Sequence, residues 1–435
     1  MFEYLPAYLL IISFIVIFSM TVKLLRKRSG RYPIDNIGIL ILAVLGLYSI
    51  IPSLSFLFLG DAFILFTTRI PYIPQIDDVV YLLAISNSFA FGLFLIYKTS
   101  KLQYKSILKH EVIFINDSIL KSAIILFIIV SLSSIFLNIQ YNLGDSSSYI
   151  DSYAEIASLP LIVKQFLAFQ RGWVSILKII VILGLFQRWP KSSYLLILII
   201  LFNILTFNVA SSRTNLAISL FTFFVLWHIV IRPFSKMEIF ISGAVLLLGF
   251  SFSGLLRGGS SASSIVFTNL LNVSEFINVW LNSVHILHES KLGSFSIPWQ
   301  VHLNDFLAFI PSSILPWEKM DFSNWYANTY YPEHHEAGGG LAFGLNSQIV
   351  SGFGIPEAFI RGLIWGKISL TLINWVNTTK KWWVFPLYLS LFLFSYQVVR
   401  FSSFELITGS LLKYVFYFAS LIFLKKLLIS QKGRR

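Results

Sequence analysis

The run Leu5–Leu25, LPAYLLIISFIVIFSMTVKLL, is followed at once by Arg26-Lys27-Arg28 and then Arg31. About 20 apolar residues rising 1.5 Å each span a hydrocarbon core of roughly 30 Å, and basic residues closing such a run belong on the cytoplasmic side of a membrane. No basic residue precedes the run and no small-residue cleavage site is evident. It is therefore expected to stay as an anchor with the N-terminus outside. Working outward, similar runs predict spans near 5–25, 37–59, 79–97, 119–140, 161–187, 193–210, 214–231, 238–256, 358–376, 384–404 and 407–429, about eleven in all. The runs are long and continuous where barrel strands would alternate in short segments. The expected fold class is all-α, a polytopic helical membrane protein with 1–435 forming one integral membrane domain.

Composition agrees. The chain is 56% hydrophobic, 17% aromatic and only 12% charged, with a mean hydropathy of +0.76, far outside the soluble globular range. A net charge of +13 would point to nucleic acid in a soluble protein. Here the basic residues sit in short loops beside apolar runs, so topology and anionic membrane lipids account for them and no nucleic-acid partner is expected. Lys98, Lys101, Lys105 and Lys109, then Arg188 and Lys191, Arg232 and Lys236, Lys380 and Lys381, and the tail from Lys425 to Arg435 fall in alternate loops, which puts the C-terminus in the cytoplasm. With no cysteine there is no disulfide, thiol chemistry or cysteine metal site. No GxxxxGK[ST] phosphate loop is present, and the short cytoplasmic loops leave no room for a nucleotide-binding domain.

The opposite side receives Gly60–Asp78, Tyr141–Pro160 and a segment from Gly258 to Glu357 that holds almost no Lys or Arg. This segment, 258–357, is expected to be one large extracytoplasmic loop. Within it, residues 265–287 space Ile265, Leu270, Phe276, Val279, Trp280, Val284 and Leu287 at helical intervals with Asn269, Asn272, Glu275 and Asn278 between them, which predicts an amphipathic helix on the membrane or on the spans. Residues 298–357 are rich in Pro, aromatic residues and Gly, and read as structured loop.

Three constellations in this chain carry chemistry. Arg213 and Arg257 lie near the outer ends of spans, on the side where positive charge is avoided, and an arginine there costs free energy unless an anion pairs with it. A guanidinium fork fits phosphate oxygens in pairs, so a lipid pyrophosphate is one such anion, and a protein carboxylate or lipid headgroups are the others. Arg171, in the fifth run, and Arg400, near the outer end of the tenth, suit either phosphate binding or simple anchoring at the membrane interface. The cluster Glu333-His334-His335-Glu336 offers a general base near neutral pH, with His335, Glu336 and His334 as the residues concerned; the alternative is a solvated loop tip. It lacks the HExxH spacing of a zinc protease helix, and neither a metal nor another cofactor is expected. Trp299, Trp317, Trp325, Tyr326, Tyr330 and Tyr331 suit either sugar rings or a membrane interface. Asp77-Asp78 matches the early external acidic pair of GT-C glycosyltransferases and also suits the N-terminus of a helix, where negative charge is favoured.

The stretch Gly338-Gly339-Gly340-Leu341-Ala342-Phe343-Gly344, running through Ser347 to Gly352-Phe353-Gly354, resembles the O-antigen polymerases, the Wzy-type oligosaccharide repeat-unit polymerases. So do Ser211-Ser212-Arg213-Thr214-Asn215 and the long loop late in the chain. The resemblance implies a GT-C-like glycosyltransferase in the bacterial cytoplasmic (inner) membrane that joins undecaprenyl-pyrophosphate-linked oligosaccharides into O-antigen or capsular polysaccharide without a metal. It implies Arg213 and Arg257 as pyrophosphate contacts, and a chain-length regulator and a flippase as partners. Two other functions fit the same outline: an O-antigen ligase with the same donor, and a lipid-linked oligosaccharide flippase.

Overall fold

The structure is a computed structural model. It describes residues 2–60, 72–101, 107, 115–141, 158–188, 221–244, 275–293, 295–307, 310, 315–317, 319–336, 341–379, 381–401, 418–419 and 422. The described residues are mostly helical, with no strand among them. In chain order the helices used below are α1 (Leu5–Ser29), α2 (Ile37–Leu59), α3 (Ile76–Thr99), α4 (Asp117–Gln140), α5 (Leu161–Arg188), α6 (Glu275–Lys291), α7 (Trp299–Phe306), α8 (Phe322–Tyr330), α9 (Pro332–Glu336), α10 (Gly344–Val350), α11 (Ile355–Thr378), α12 (Val384–Phe394) and α13 (Gln397–Arg400).

Four of these helices are long and apolar enough to cross a membrane: α1, α2, α3 and the Asp117–Leu137 part of α4. α5 and α11 are as long, but α5 carries Lys164, Arg171, Lys178 and Arg188, and α11 carries Glu357, Arg361 and Lys367. The expected spans 37–59 and 161–187 meet helices Ile37–Leu59 and Leu161–Arg188 almost residue for residue. Of the expected spans 214–231 and 238–256 the described parts are the helices Phe221–Ile231 and 236–244. The span 193–210 and nearly all of 407–429 lie outside the described residues.

The chain divides into two units, one of Met1–Ser106, Ser261–Trp375 and Phe394–Gly409, the other of Ile107–Ser260, Val376–Leu393 and Ser410–Arg435. In the second unit α4 packs on α5, whose residues from Trp173 to Phe186 form a largely buried apolar stretch. An apolar cleft of about 470 Å³ opens between the two helices, lined by Leu132, Phe136, Ile162 and Phe166 among others.

The first unit is built on α1, α2 and α3. α1 buries Ala7, Ile11, Phe14, Thr21 and Leu25, the face that a 3.6-residue period brings together, and exposes Leu9, Ile12, Ile15 and Val16. That exposed apolar face is what a lipid-facing helix needs. Two polar contacts set the register of α2 against α3: Ser86 donates to Ser49 at 2.7 Å, and at the far end the Tyr97 hydroxyl lies 2.5 Å from the Asn36 carboxamide oxygen. Ser49 and Ser86 therefore mark the half-way level of both helices.

The remaining elements can be ranged against that level. α11 does not begin beside the start of α3: Ser88 donates to the Ile355 carbonyl at 3.0 Å, so α11 starts half-way down α3. It then runs alongside it until Ser369 joins Tyr97 and Asn36. Gly92, Gly362 and Gly366 let the two backbones touch, since a Cβ at Gly362 would stand 2.1 Å from the Phe89 carbonyl oxygen. Gly362 and Gly366 have the spacing of small residues at close membrane-helix crossings.

α6 follows α2, with Phe276 edge-on to Tyr48 at 4.9 Å and Trp280 by Phe56, and ends with Lys291 paired to Asp78 at 2.6 Å. α6 is the described part of the helix expected over 265–287 on the membrane or on the spans, and it packs along α2. The residues from Val279 to Leu287 are all buried. Its polar residues are matched from α10 and the strand of chain before it. Asn282 donates to the Ala342 carbonyl at 2.8 Å, and Ser283 and Ser347 share a 2.9 Å hydrogen bond. The long segment is thus no free-standing loop. It begins to be described half-way along α2, builds a cap from α7, α8 and α9, and returns through α10 to the half-way level of α3.

Candidate functional site

Four charged side chains meet near this half-way level. α12 stops at Phe394, a turn at Ser395 and Tyr396 breaks the helix, and one further turn, α13, delivers Arg400. Arg400 Nε donates to a Glu275 carboxylate oxygen, and its guanidinium lies over the Phe401 ring at 4.5 Å. Tyr48 on α2 hydrogen-bonds the same carboxylate. Gln348, on the buried face of α10, ties this pair to a second one: its amide nitrogen donates to the Phe401 carbonyl, and its amide oxygen accepts from Arg361 Nη1 at 3.2 Å. Arg361 in turn donates through Nε to Glu357 Oε1 at 2.7 Å, with Nη2 at 2.6 Å from the same oxygen.

The turn before α11 explains why glycine is needed there. The other oxygen of Glu357 accepts from the Phe353 backbone N–H at 2.8 Å, and a Cβ on Gly352 would lie 2.1 Å from it. Gly354 has φ +67°, and a Cβ there would meet the Tyr81 hydroxyl at 2.4 Å. Gly352-Phe353-Gly354 is therefore a turn folded around a carboxylate, which holds the Arg361 fork at the entry of α11.

Above this layer the cap is aromatic. Phe322 and Phe343 stack at 5.3 Å, with Trp325 and Tyr326 buried beside them. His285 Nδ1 shares a 2.8 Å hydrogen bond with the Tyr326 hydroxyl, and Glu289 stands 3.9 Å from Nε2. Burial holds the His285 imidazole below its ordinary pKa, with Glu289 opposing. Burial and Glu289 together push the Tyr330 hydroxyl up to about 12.

At the Asp78 end of α3 the acidic pair separates into two roles. Asp77 is exposed, whereas the Asp78 side chain is fully buried. Asp78 accepts from the Gln75 N–H at 3.0 Å and from the Tyr72 hydroxyl at 2.9 Å, and holds Lys291. It is a helix cap and the tie between α3 and α6. Tyr72 stacks on His288 at 3.7 Å, and burial followed by Asp78 pushes its hydroxyl up to about 12.

The residues expected from sequence fall in different places. His334, His335 and Glu336 lie on the short helix α9 at the tip of the cap, the histidines part-exposed and Glu336 exposed. Arg400 is in the half-way layer, paired with a protein carboxylate. Arg171 belongs to α5, its side chain outside the described residues, as are Arg213 and Arg257 altogether. Sequence reasoning did not single out Arg361, Gln348 or the role of Glu275 and Glu357. A signal for one of them existed: Glu357 and Arg361 stand four apart in the first two turns of an apolar run, directly after two glycines. Among the described residues no three His, Asp or Glu side chains group as metal ligands. Comparison with protein-family models, curated proteins and solved structures gave no match.

Proposed function

We propose that this protein is a membrane glycosyltransferase that polymerises undecaprenyl-pyrophosphate-linked oligosaccharides at the outer face of the bacterial cytoplasmic membrane, within a GT-C-like bundle of about eleven spans. The observation that carries this reading is the layer in which Arg361 and Arg400 are bridged through Gln348, beneath an aromatic cap. A polyprenyl pyrophosphate keeps its charge at membrane level, so a protein that reads it must hold cations inside its helices. Ionisable residues in that position are costly and mark substrate paths. Guanidinium forks already fixed by Glu275 and Glu357 need no reorganisation when charge develops on the departing pyrophosphate. In the reaction the bond from the anomeric carbon of the growing glycan to pyrophosphate breaks and a new bond forms to an acceptor hydroxyl. The hydroxyl proton goes to a base, for which His335, Glu336 and His334 on α9 are retained, and Arg213 and Arg257 are proposed to join Arg361 and Arg400 on the pyrophosphate.

One observation favours a second function. Helices that begin half-way along a bundle, as α11 does against α3, are also how transporters build a central site, which a lipid-linked oligosaccharide flippase would use. The decisive experiment gives the purified protein lipid-linked repeat units alone, in proteoliposomes. The polymerase makes a ladder of products; a ligase makes none without a lipid A-core acceptor, and a flippase makes none at all. Arg361→Ala and Arg400→Ala are expected to slow chain growth by about 10²–10³ each, the usual cost of removing a fixed transition-state donor. Chain growth unaffected by both, and by Arg213→Ala and Arg257→Ala, would overturn the arginine mechanism.

A further inference from the structure

Trp299 is the most exposed tryptophan feature of the cap, with 61% of its surface open, and it stands on a rigid mount. The Trp317 ring meets it at 63° with centroids 5.4 Å apart. The Trp317 indole N–H donates to Asn304 Oδ1 at 2.9 Å, and Asn304, itself only 3% exposed, donates to the Met320 carbonyl at 2.9 Å. One open ring is thus braced by a second ring whose polar edge is already satisfied inside the protein. Three residues along the same helix, and so on the same side of α7, comes His302. It is packed edge-on to Phe322 at 5.2 Å and lies within electrostatic reach of both Glu357 and Arg361.

We propose that Trp299, braced by Trp317, is a stacking platform for a sugar ring of the lipid-linked glycan, set one helical turn from His302. The physical fit is direct. The C–H faces of a pyranose carry slight positive charge and are apolar, and an indole offers a broad face of negative potential at little entropic cost. A tryptophan serving only as a membrane-interface anchor does not need the buried Asn304 mount. The neighbourhood rests on the polymerase proposal, in that the pyrophosphate would sit at Arg361 while the sugar lies on Trp299. The platform itself does not.

The test uses the full chain in nanodiscs and, as probe, lipid-free oligosaccharide released from the host's surface polysaccharide. Saturation-transfer NMR reads contact with ring protons, and titration gives the dissociation constant. Trp299→Ala is expected to weaken binding roughly two- to tenfold, the range of an aromatic contact, with Trp299→Tyr restoring most of it. Trp317→Ala is expected to have a smaller effect in the same direction. No binding by the wild type, or equal binding by wild type and Trp299→Ala, overturns the platform. So does a Trp299→Ala protein that keeps its glycan affinity but reconstitutes poorly into bilayers, which would make the ring a membrane anchor. The polymer assay separates the two proposals. Oligosaccharide binding lost in Trp299→Ala, with no ladder from the wild type, would keep the platform and sink the polymerase; a ladder with unchanged KM and kcat in Trp299→Ala would do the reverse.

Discussion

Replacing Glu275 by alanine leaves the Arg400 guanidinium charged and short of its carboxylate half-way along the helices. Removing one partner of a fully buried ion pair costs about 3–5 kcal/mol, because the remaining charge cannot return to water. Two features lower that figure here. The side chains keep 22% and 24% of their exposure, and the cation retains the Phe401 ring at 4.5 Å, worth about 0.5–1 kcal/mol. The expected loss for Glu275→Ala is therefore about 2–4 kcal/mol. Glu275→Gln keeps an acceptor for the guanidinium and gives up only the charge, so about half of that loss is expected.

The assay is reversible unfolding in mixed lipid–detergent micelles with increasing SDS, followed by far-UV circular dichroism. Arg400→Ala should cost a similar amount, and the double variant should cost less than the sum by about 1 kcal/mol or more, since contacting partners are not additive. The apolar pair Glu275→Leu with Arg400→Met should recover most of the stability while abolishing chain growth. That outcome follows if the ion pair is kept for its charge and not for its contribution to folding. Glu275→Ala within about 0.5 kcal/mol of the wild type, the range of an ordinary surface substitution, would refute the reasoning that partial burial makes this pair costly to break.

The Asp78–Lys291 tie should respond asymmetrically. Asp78→Ala, at a fully buried side chain with three partners, is expected to cost about 3–5 kcal/mol, and Lys291→Ala, 52% exposed, at most about 1 kcal/mol in the same unfolding assay. Gly362→Ala drives a methyl group into the Phe89 carbonyl and should cost about 1–3 kcal/mol, whereas Gly243→Ala, with nothing within 4 Å, should be neutral or gain up to about 1 kcal/mol of helix propensity. Stability should fall as the pH drops below the ordinary histidine value of 6.5. His285 is held below that value in the fold, so the unfolded chain binds its proton first; the stabilisation is present above 6.5 and is lost as the pH falls through the folded pKa. His285→Gln should flatten that dependence, and a slope unchanged by it would assign the effect elsewhere.

Much of the helical layout was legible from apolar runs alone. The run 37–59 coincides with α2, and the one predicted over 5–25 extends to Ser29 because the basic residues after Leu25 continue the helix until Gly30 turns it at φ +77°. What periodicity could not show is where polar residues find partners. Asn269, Asn272, Glu275 and Asn278 marked the helix over 265–287 as amphipathic, yet the partners of Asn282 and Ser283 at Ala342 and Ser347 come from some sixty residues away, which no local pattern names. Arg400 was recognised as needing an anion, but nothing local to it names Glu275, 125 residues distant. The histidine cluster, conspicuous for its composition, lies on the short helix α9 with its histidines part-exposed, while the less conspicuous Glu357 and Arg361 entered the layer.

The polar residues and the helix interruptions of this layer have one physical origin. A helix that ends inside a dry bundle leaves carbonyl and N–H groups that water cannot reach, and each needs a partner from the protein. α13 ends at Arg400, and the Gln348 amide takes up the Phe401 carbonyl that follows it. In the turn before α11 the Phe353 N–H points inward, and the Glu357 carboxylate takes it up. Once Gln348 and Glu357 are present for that reason, their remaining oxygens are available to hold Arg361. An arginine so held costs little beyond what the interrupted helices already required. The fold thus holds Arg361 on Glu357 and Gln348 where α11 begins, half-way along α3.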